Sequence, residues 1–458
     1  MKRNELFESS PMPQAVMKLS LPTIIGMLVM VIYNMADTFF VGMTNDVNQV
    51  ASVTVTMPVF MLLMSLGTIF GVGGASSISR YLGSKEMEKA KRTSAISFYG
   101  SIFLSLVYMV IGFIFMDKIL GVAGVTENTY EFSKSYLMVL TLGAPFVVLN
   151  FAMGQIARAE GLAKEAMVGM VLGTVLNIVL DPILIMWFKM GVVGASIATV
   201  LANVVSVLYY IKLISGKKSC LSIALKDLKF DKEIIKGILF IGAPASLNNL
   251  LMSLSSILLN NFAVFYGDVV VASLGIVNRI MLLPIMVTIG LCQGIQPLIG
   301  YNYASKNINR MKEAMKFVSV LGTIMGIGFT IFLLVFGEKM VGMFINDSET
   351  VKIGSDFIKI IIISAPFLAV QFVLSSTFQA MGKAVPSLIL SISRQGLIFM
   401  PVLFIANTVL GLNGIVLAQP VADIITVVIA IVLFTVIYNK ELKHEIEEDN
   451  IETLDGVI

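Results

Sequence analysis

Charge is scarce in this chain. Only 13% of its 458 residues are Asp, Glu, Lys or Arg, 57% are apolar, and the mean hydropathy is +0.90. A soluble domain carries roughly twice that share of charge, which argues against a free soluble enzyme, and no nucleic-acid partner is expected. Histidine is reduced to His444, in a charged tail where it reads as a solvated side chain rather than a metal ligand. There is no His-Glu-x-x-His, no histidine in any apolar run and no Ser/His/Asp set, so an integral membrane enzyme, the reading from a different class, has no visible machinery. Of the two cysteines, Cys220 falls in a polar loop and Cys292 in an apolar run, and no disulfide is expected between them. No cleavable signal is expected either, because the first apolar run is too long for an h-region and lacks a small-residue cleavage site.

Long apolar runs fill the chain instead. Runs of about 18 or more residues are transmembrane candidates, since about 20 helical residues cross the hydrocarbon core. Twelve fit, at roughly 17–43, 50–79, 94–116, 135–157, 166–188, 191–214, 235–265, 270–300, 315–337, 353–378, 387–408 and 412–438. They are two copies of six. At an offset of about 221 residues Ala144-Pro145-Phe146 recurs as Ala365-Pro366-Phe367, Gly161 as Gly382, Pro22 as Pro244 and Tyr81 as Tyr303. Gly191-Val192-Val193-Gly194-Ala195 likewise recurs as Gly411-Leu412-Asn413-Gly414-Ile415. An even number of spans per copy makes both enter the membrane from the same side, giving parallel repeats with a substrate path between the bundles near the midplane. The predicted fold is therefore an all-α integral membrane protein with twelve transmembrane helices in two pseudo-symmetric six-helix bundles. The expected divisions are an N-terminal lobe at 1–214, a cytoplasmic linker at 215–234, a C-terminal lobe at 235–438 and a cytoplasmic tail at 439–458.

Lysine and arginine orient the chain by the positive-inside rule. With Met1 inside, the inner segments hold 24 cationic side chains, whereas the outer loops offer only Lys118, Lys134, Lys189, Lys339 and Lys352. Both termini are thus expected in the cytoplasm, and the net charge of +3 is a matter of topology. The stretch from Gly216 to Lys236 is basic with interspersed Leu221, Ile223, Leu225, Leu228 and Phe230, and reads as a membrane-surface strap or a solvated linker. The acidic tail from Glu441 reads as disordered or as a short surface helix.

Ionisable groups inside spans cost about 2.5–3.5 kcal/mol each at the midplane. Five stand out: Asp37, Asp181, Arg279, Arg394 and Asp423. Tyr33, Asn34 and Asp37 share one face of the first helix, Asn177 stacks beside Asp181 on the fifth, and Thr199 beside Asn203 on the sixth. Two carboxylates with an amide and a hydroxyl can bind a proton or a small hard cation such as Na+, and no thiol or imidazole is there to suggest a transition metal. Alternatively these groups pair with one another or with carbonyls freed at Pro22 and Pro182. Arg279, Arg394 and Asp423 fit either a substrate-lined cleft or a tie between helices. The run Gly67, Gly71, Gly73, Gly74, Ala75, Ser76, Ser77 lacks the Gly-Lys-Ser/Thr of a phosphate loop and reads as close helix packing. Some of the 29 methionines and 29 phenylalanines can supply a pliable apolar wall for varied ligands.

Three segments carry a family resemblance: Tyr33-Asn34-Met35-Ala36-Asp37-Thr38-Phe39-Phe40-Val41-Gly42, Ala159-Glu160-Gly161, and Asn177-Ile178-Val179-Leu180-Asp181-Pro182. With the six-plus-six repeat, the chain resembles the multidrug and toxin extrusion (MATE) family over roughly residues 13–438, and most its MepA-like bacterial branch. The resemblance implies two six-helix lobes around a V-shaped central cleft. It implies secondary active export of chemically varied, often cationic small-molecule drugs and dyes in antiport with H+ or Na+ and with no resident cofactor. It places the coupling cation at Asp37, Asn177, Asp181 and Thr199, and assigns Pro22 as a hinge. Some members carry an acidic residue eight positions after the proline of the seventh helix, where this chain has Met252, so a second-lobe cation site of that kind is not expected. A monomer in a bacterial plasma membrane is expected.

The rival within the same broad superfamily is a lipid-linked oligosaccharide flippase, which needs cationic side chains in the cleft for a pyrophosphate; Arg279 and Arg394 keep it open. A major-facilitator transporter shares the layout, but Arg80-Tyr81-Leu82-Gly83-Ser84-Lys85 lacks its Asp-Arg-x-Gly-Arg-Arg loop.

Overall fold

Backbone N–H and C=O groups find no partner in lipid, so a chain this apolar has helices as its natural solution. The computed structural model describes residues 3–44 and 46–442; His444 and the tail beyond Leu442 lie outside the described residues. Among the described residues there is no strand. Eleven helices in them are long and apolar enough to cross a membrane, and a twelfth crossing is the pair Glu127–Leu142 and Ala144–Ala159, bent by 55°. Each of the twelve apolar runs overlaps one of these crossings. Large apolar side chains such as Phe103, Ile114, Val335, Ile405 and Val428 stand outward along them, as a lipid-facing surface requires. The chain is a multi-pass membrane protein.

The repeat is written into the turns. Lys85 and Lys306, at matching places after the second and eighth spans (Val47–Gly83 and Asp268–Ala304), both take left-handed φ, at 63° and 60°. Gly161 and Gly382 do so at 88° and 76°, and Gly191 and Gly411 at 54° and 57°. Helices restart at Ala144 and Ala365, each with its proline in the first turn, where the missing N–H costs nothing. Side-chain caps start others: Asp46 accepts from Asn48 N–H at 2.9 Å and Asn307 from Arg310 N–H at 3.1 Å.

Contacts divide the chain into two compact units. The first comprises Ile25–Leu250; the second comprises Met1–Ile24 with Leu251–Ile458. The first span (Met12–Gly42) and the seventh (Lys232–Val264) each pass from one unit to the other within the helix, a few residues after Pro22 and Pro244.

In the first unit the small-residue run of the second span lets backbones touch. A Cβ on Gly73 would stand 2.1 Å from the Ile238 carbonyl oxygen, and one on Gly242 only 1.9 Å from that of Ile69. Gly67 and Gly71 seat Val148 and Ala152 in the same way. Glu160, fully buried, accepts from Ser219 Oγ and Cys220 N–H at 2.5 Å each, and Tyr99 donates to the Ile223 carbonyl at 3.0 Å, which fastens the linker to this unit.

The second unit has an apolar core that includes Val277, Leu333, Phe357, Phe399, Ile415 and Ala422. There the start of the first span meets the eighth, where a Cβ on Gly294 would lie 2.4 Å from Ser20 Cα. Arg310 secures the entry by donating to the Phe7 and Ser10 carbonyls at 2.6 Å each.

Candidate functional site

The polar groups of the first unit gather around three helices. The first span brings Tyr33 and Asp37 on one face, with Val41 a turn further, buried in an apolar cluster with Val53, Tyr136, Leu140, Ile185 and Val192. The fifth span (Ala163–Trp187) brings Asn177 and Asp181, and the sixth (Gly191–Ile214) brings Thr199 and Asn203. Pro182 lacks an N–H, which frees the Ile178 carbonyl beside them, and the helix continues through a wider π turn over Ile183–Trp187.

Asn177 is the joint of the cluster. Turned so that both ends of its amide are satisfied, it donates to Asp181 Oδ2 at 3.0 Å and accepts from Thr199 N–H at 3.1 Å. Tyr33 and Thr199 hydroxyls lie 3.4 Å apart in hydrogen-bond geometry. Asn203 donates to the Thr199 carbonyl at 2.7 Å and accepts from Asn150 Nδ2 at 2.8 Å. Asn34 turns back to its own helix, donating to the Met30 carbonyl at 2.9 Å. Asp181 is fully buried and Asp37 is 9% exposed. Asp37 makes no side-chain hydrogen bond among the described residues, yet lies within electrostatic reach of Asp181, Tyr33 and Tyr136.

Among the described residues neither carboxylate has a Lys or Arg partner. Two buried, poorly solvated carboxylates in one cluster can take up a proton or a small cation. A carboxylate pair, amide oxygen and two hydroxyls offer hard oxygen ligands, with no larger group of acidic, histidine or cysteine side chains among the described residues to hold a polyvalent metal.

Sequence reading missed Tyr136 and Asn150. A tyrosine in an apolar run looks like core, and only the fold shows it facing the acids. Asn150 had a signal, being an amide inside a span, but amides are cheaper to bury than charges and draw less notice.

The other candidates lie in the second unit. Arg394 Nε donates to Asp423 Oδ1 at 2.8 Å, and both groups are buried. Arg279 is exposed on the eighth span and has no ion-pair partner among the described residues. Pro22 sits inside the first helix, and Met252 is 47% exposed on the seventh.

A two-repeat helical membrane protein with a buried polar cluster inside one bundle has the makings of a membrane transporter. The comparisons narrow that class. The MatE family model matches residues 22–183 and again 244–405, so the chain belongs to the MatE family. It is 36% identical over 450 residues to the multidrug export protein MepA of Staphylococcus aureus (strain MRSA252), covering 98% of each chain. Among solved structures it is similar to a MATE in complex with MaL6, with TM-score 0.91 and 29% identity over 97% of this chain and 100% of that one. A MATE in the bent conformation gives TM-score 0.89 and 28% identity over 97% and 99%.

Proposed function

We propose that this chain is a multidrug exporter of a bacterial plasma membrane, expelling cationic amphipathic drugs in exchange for protons, with Na+ as the alternative coupling ion. The observation that carries the coupling is the pair Asp37 and Asp181, buried in one unit with no ion pair to a Lys or Arg among the described residues. A proton needs only a carboxylate to sit on, whereas Na+ needs several oxygens at set distances. Asp37, Asp181, Asn177 and Thr199 supply such oxygens, which keeps sodium in play. The similarity to an exporter named for multidrug export supports the substrate class.

Drug and ion compete for the same region in this reading. With both acids ionised the region attracts a cationic drug; protonation removes that charge and releases it. Both termini and the 215–234 linker lie on the cytoplasmic side, where the lysines and arginines concentrate. The flippase reading is weakened, because Arg394 is committed to Asp423, which leaves Arg279, without an ion pair among the described residues, to meet a pyrophosphate.

Dye efflux in everted membrane vesicles tests the proposal, with a pH gradient and a sodium gradient imposed separately. We expect the pH gradient to drive efflux by the parent chain and not by an Asp37→Asn variant that inserts to the same level. Undiminished efflux by that variant would remove Asp37 from the coupling site.

A further inference from the structure

The second unit holds a polar cluster that the coupling site does not use. The offset that carries Gly191 to Gly411 also carries Thr199 to Gln419 and Asn203 to Asp423. The twelfth span (Leu412–Glu441) therefore presents an amide and a carboxylate where the sixth presents a hydroxyl and an amide. Asp423 is 2% exposed. Its Oδ1 accepts from Gln419 Nε2 at 2.9 Å and from Arg394 Nε at 2.8 Å, and its Oδ2 accepts from Ser364 Oγ at 3.2 Å. The Arg394 guanidinium lies over the Phe372 ring, 4.9 Å from its centroid, a second cation-stabilising contact.

We propose that this is a monovalent-cation site closed by the protein's own arginine: Arg394 supplies, permanently and from within the chain, the positive charge that the first unit must take from solution. Three observations favour this over a plain tie between helices. Arg394 touches Asp423 through Nε at 2.8 Å, and no second guanidinium nitrogen shares the carboxylate, whereas a tie makes best use of the two-pronged fork. The remaining partners, a hydroxyl and an amide, can each turn an oxygen toward a cation. Gln419 and Asp423 stand at the repeat positions of Thr199 and Asn203, which belong to the polar cluster of the first unit. The consequence is that the charge of the second unit stays fixed through the cycle and the ion stoichiometry is set by the first unit alone.

The comparison leans on the coupling-site reading, so the test is run with that site removed. In full-length protein carrying Asp37→Asn and Asp181→Asn, Arg394→Ala is added, and thermal unfolding in detergent is followed against methylguanidinium chloride and sodium chloride. Choline chloride at equal concentration is the control. A saturable Tm rise of roughly 2 °C or more with methylguanidinium is expected in the Arg394→Ala protein, since a ligand that binds only the folded state stabilises it. The rise should vanish when Asp423→Asn is added. Indifference to both methylguanidinium and sodium, or a response that survives Asp423→Asn, overturns the proposal while leaving the efflux test of the first unit standing. If Arg394→Ala does not accumulate, Arg394→Lys and the pair Arg394→Met/Asp423→Asn decide. Accumulation of both near parental level supports charge compensation, and failure of either contradicts it.

Discussion

Asn177 shows how much of the site a single side chain organises: its amide spans from the fifth helix to the sixth and touches Asp181 and the Thr199 backbone at once. That arrangement was legible in outline. The four-residue spacings of Tyr33 to Asp37, Asn177 to Asp181 and Thr199 to Asn203 put each pair on one helix face before any fold is known. Which faces meet is not local information, so Tyr136 and Asn150 stayed hidden. So did the match of Arg394 with Asp423, whose partners come from different helices. A buried ion pair broken on one side leaves a stranded charge, which costs about 3–5 kcal/mol. Asp423→Asn should therefore lower thermal stability in detergent substantially, while an equally buried neutral change such as Thr426→Val should cost far less. Equal Tm values for the two variants would mean that the pair carries little stability.

At the scale of the helix, proline and glycine do different jobs. Pro22 removes one backbone hydrogen bond from the first span and crowds the preceding turn, which makes bending locally cheap. The helix changes contact unit two residues later, between Ile24 and Ile25. Pro22→Ala is expected to bind drug with parental affinity but to turn over several-fold more slowly in the vesicle assay; parental turnover would end the hinge assignment. The spans themselves were readable because lipid demands about 20 apolar residues. Their ends were not. The second helix starts at Val47 and runs to Gly83, beyond the apolar run at 50–79, because a helix continues into water until something stops it. Here Asp46 caps one end, and Lys85 turns left-handed just past the other.

For the whole molecule, the doubled sequence predicts the doubled fold, and the paired left-handed turns at Lys85 and Lys306 show the repeat acting on the backbone as well as on composition. The sequence, knowing only chain order, draws its divisions at the linker. Contacts draw them inside the first and seventh helices, because the opening of each packs through glycine against a helix of the other repeat. The distribution of lysine and arginine predicts which loops face the cytoplasm. In a Cys220→Ser background, a membrane-impermeant maleimide added to intact cells should label Lys118→Cys and not Lys226→Cys; the opposite pattern would invert the topology and with it the direction of transport.

The central claim is that a cationic drug displaces a proton from the acid pair of the first unit. It is tested most directly by counting protons released when drug binds the purified protein in weakly buffered detergent solution at a series of pH values. Ionised carboxylates attract a cation and protonated ones, being neutral, do not, so affinity should be highest at high pH and fall as pH drops. Binding near neutrality should release up to one proton per drug, and the release should disappear in Asp37→Asn/Asp181→Asn. Binding that releases no proton anywhere between about pH 5 and 9, the window burial can reach for a carboxylate, yet weakens with added Na+, would contradict proton coupling and make sodium the driving ion.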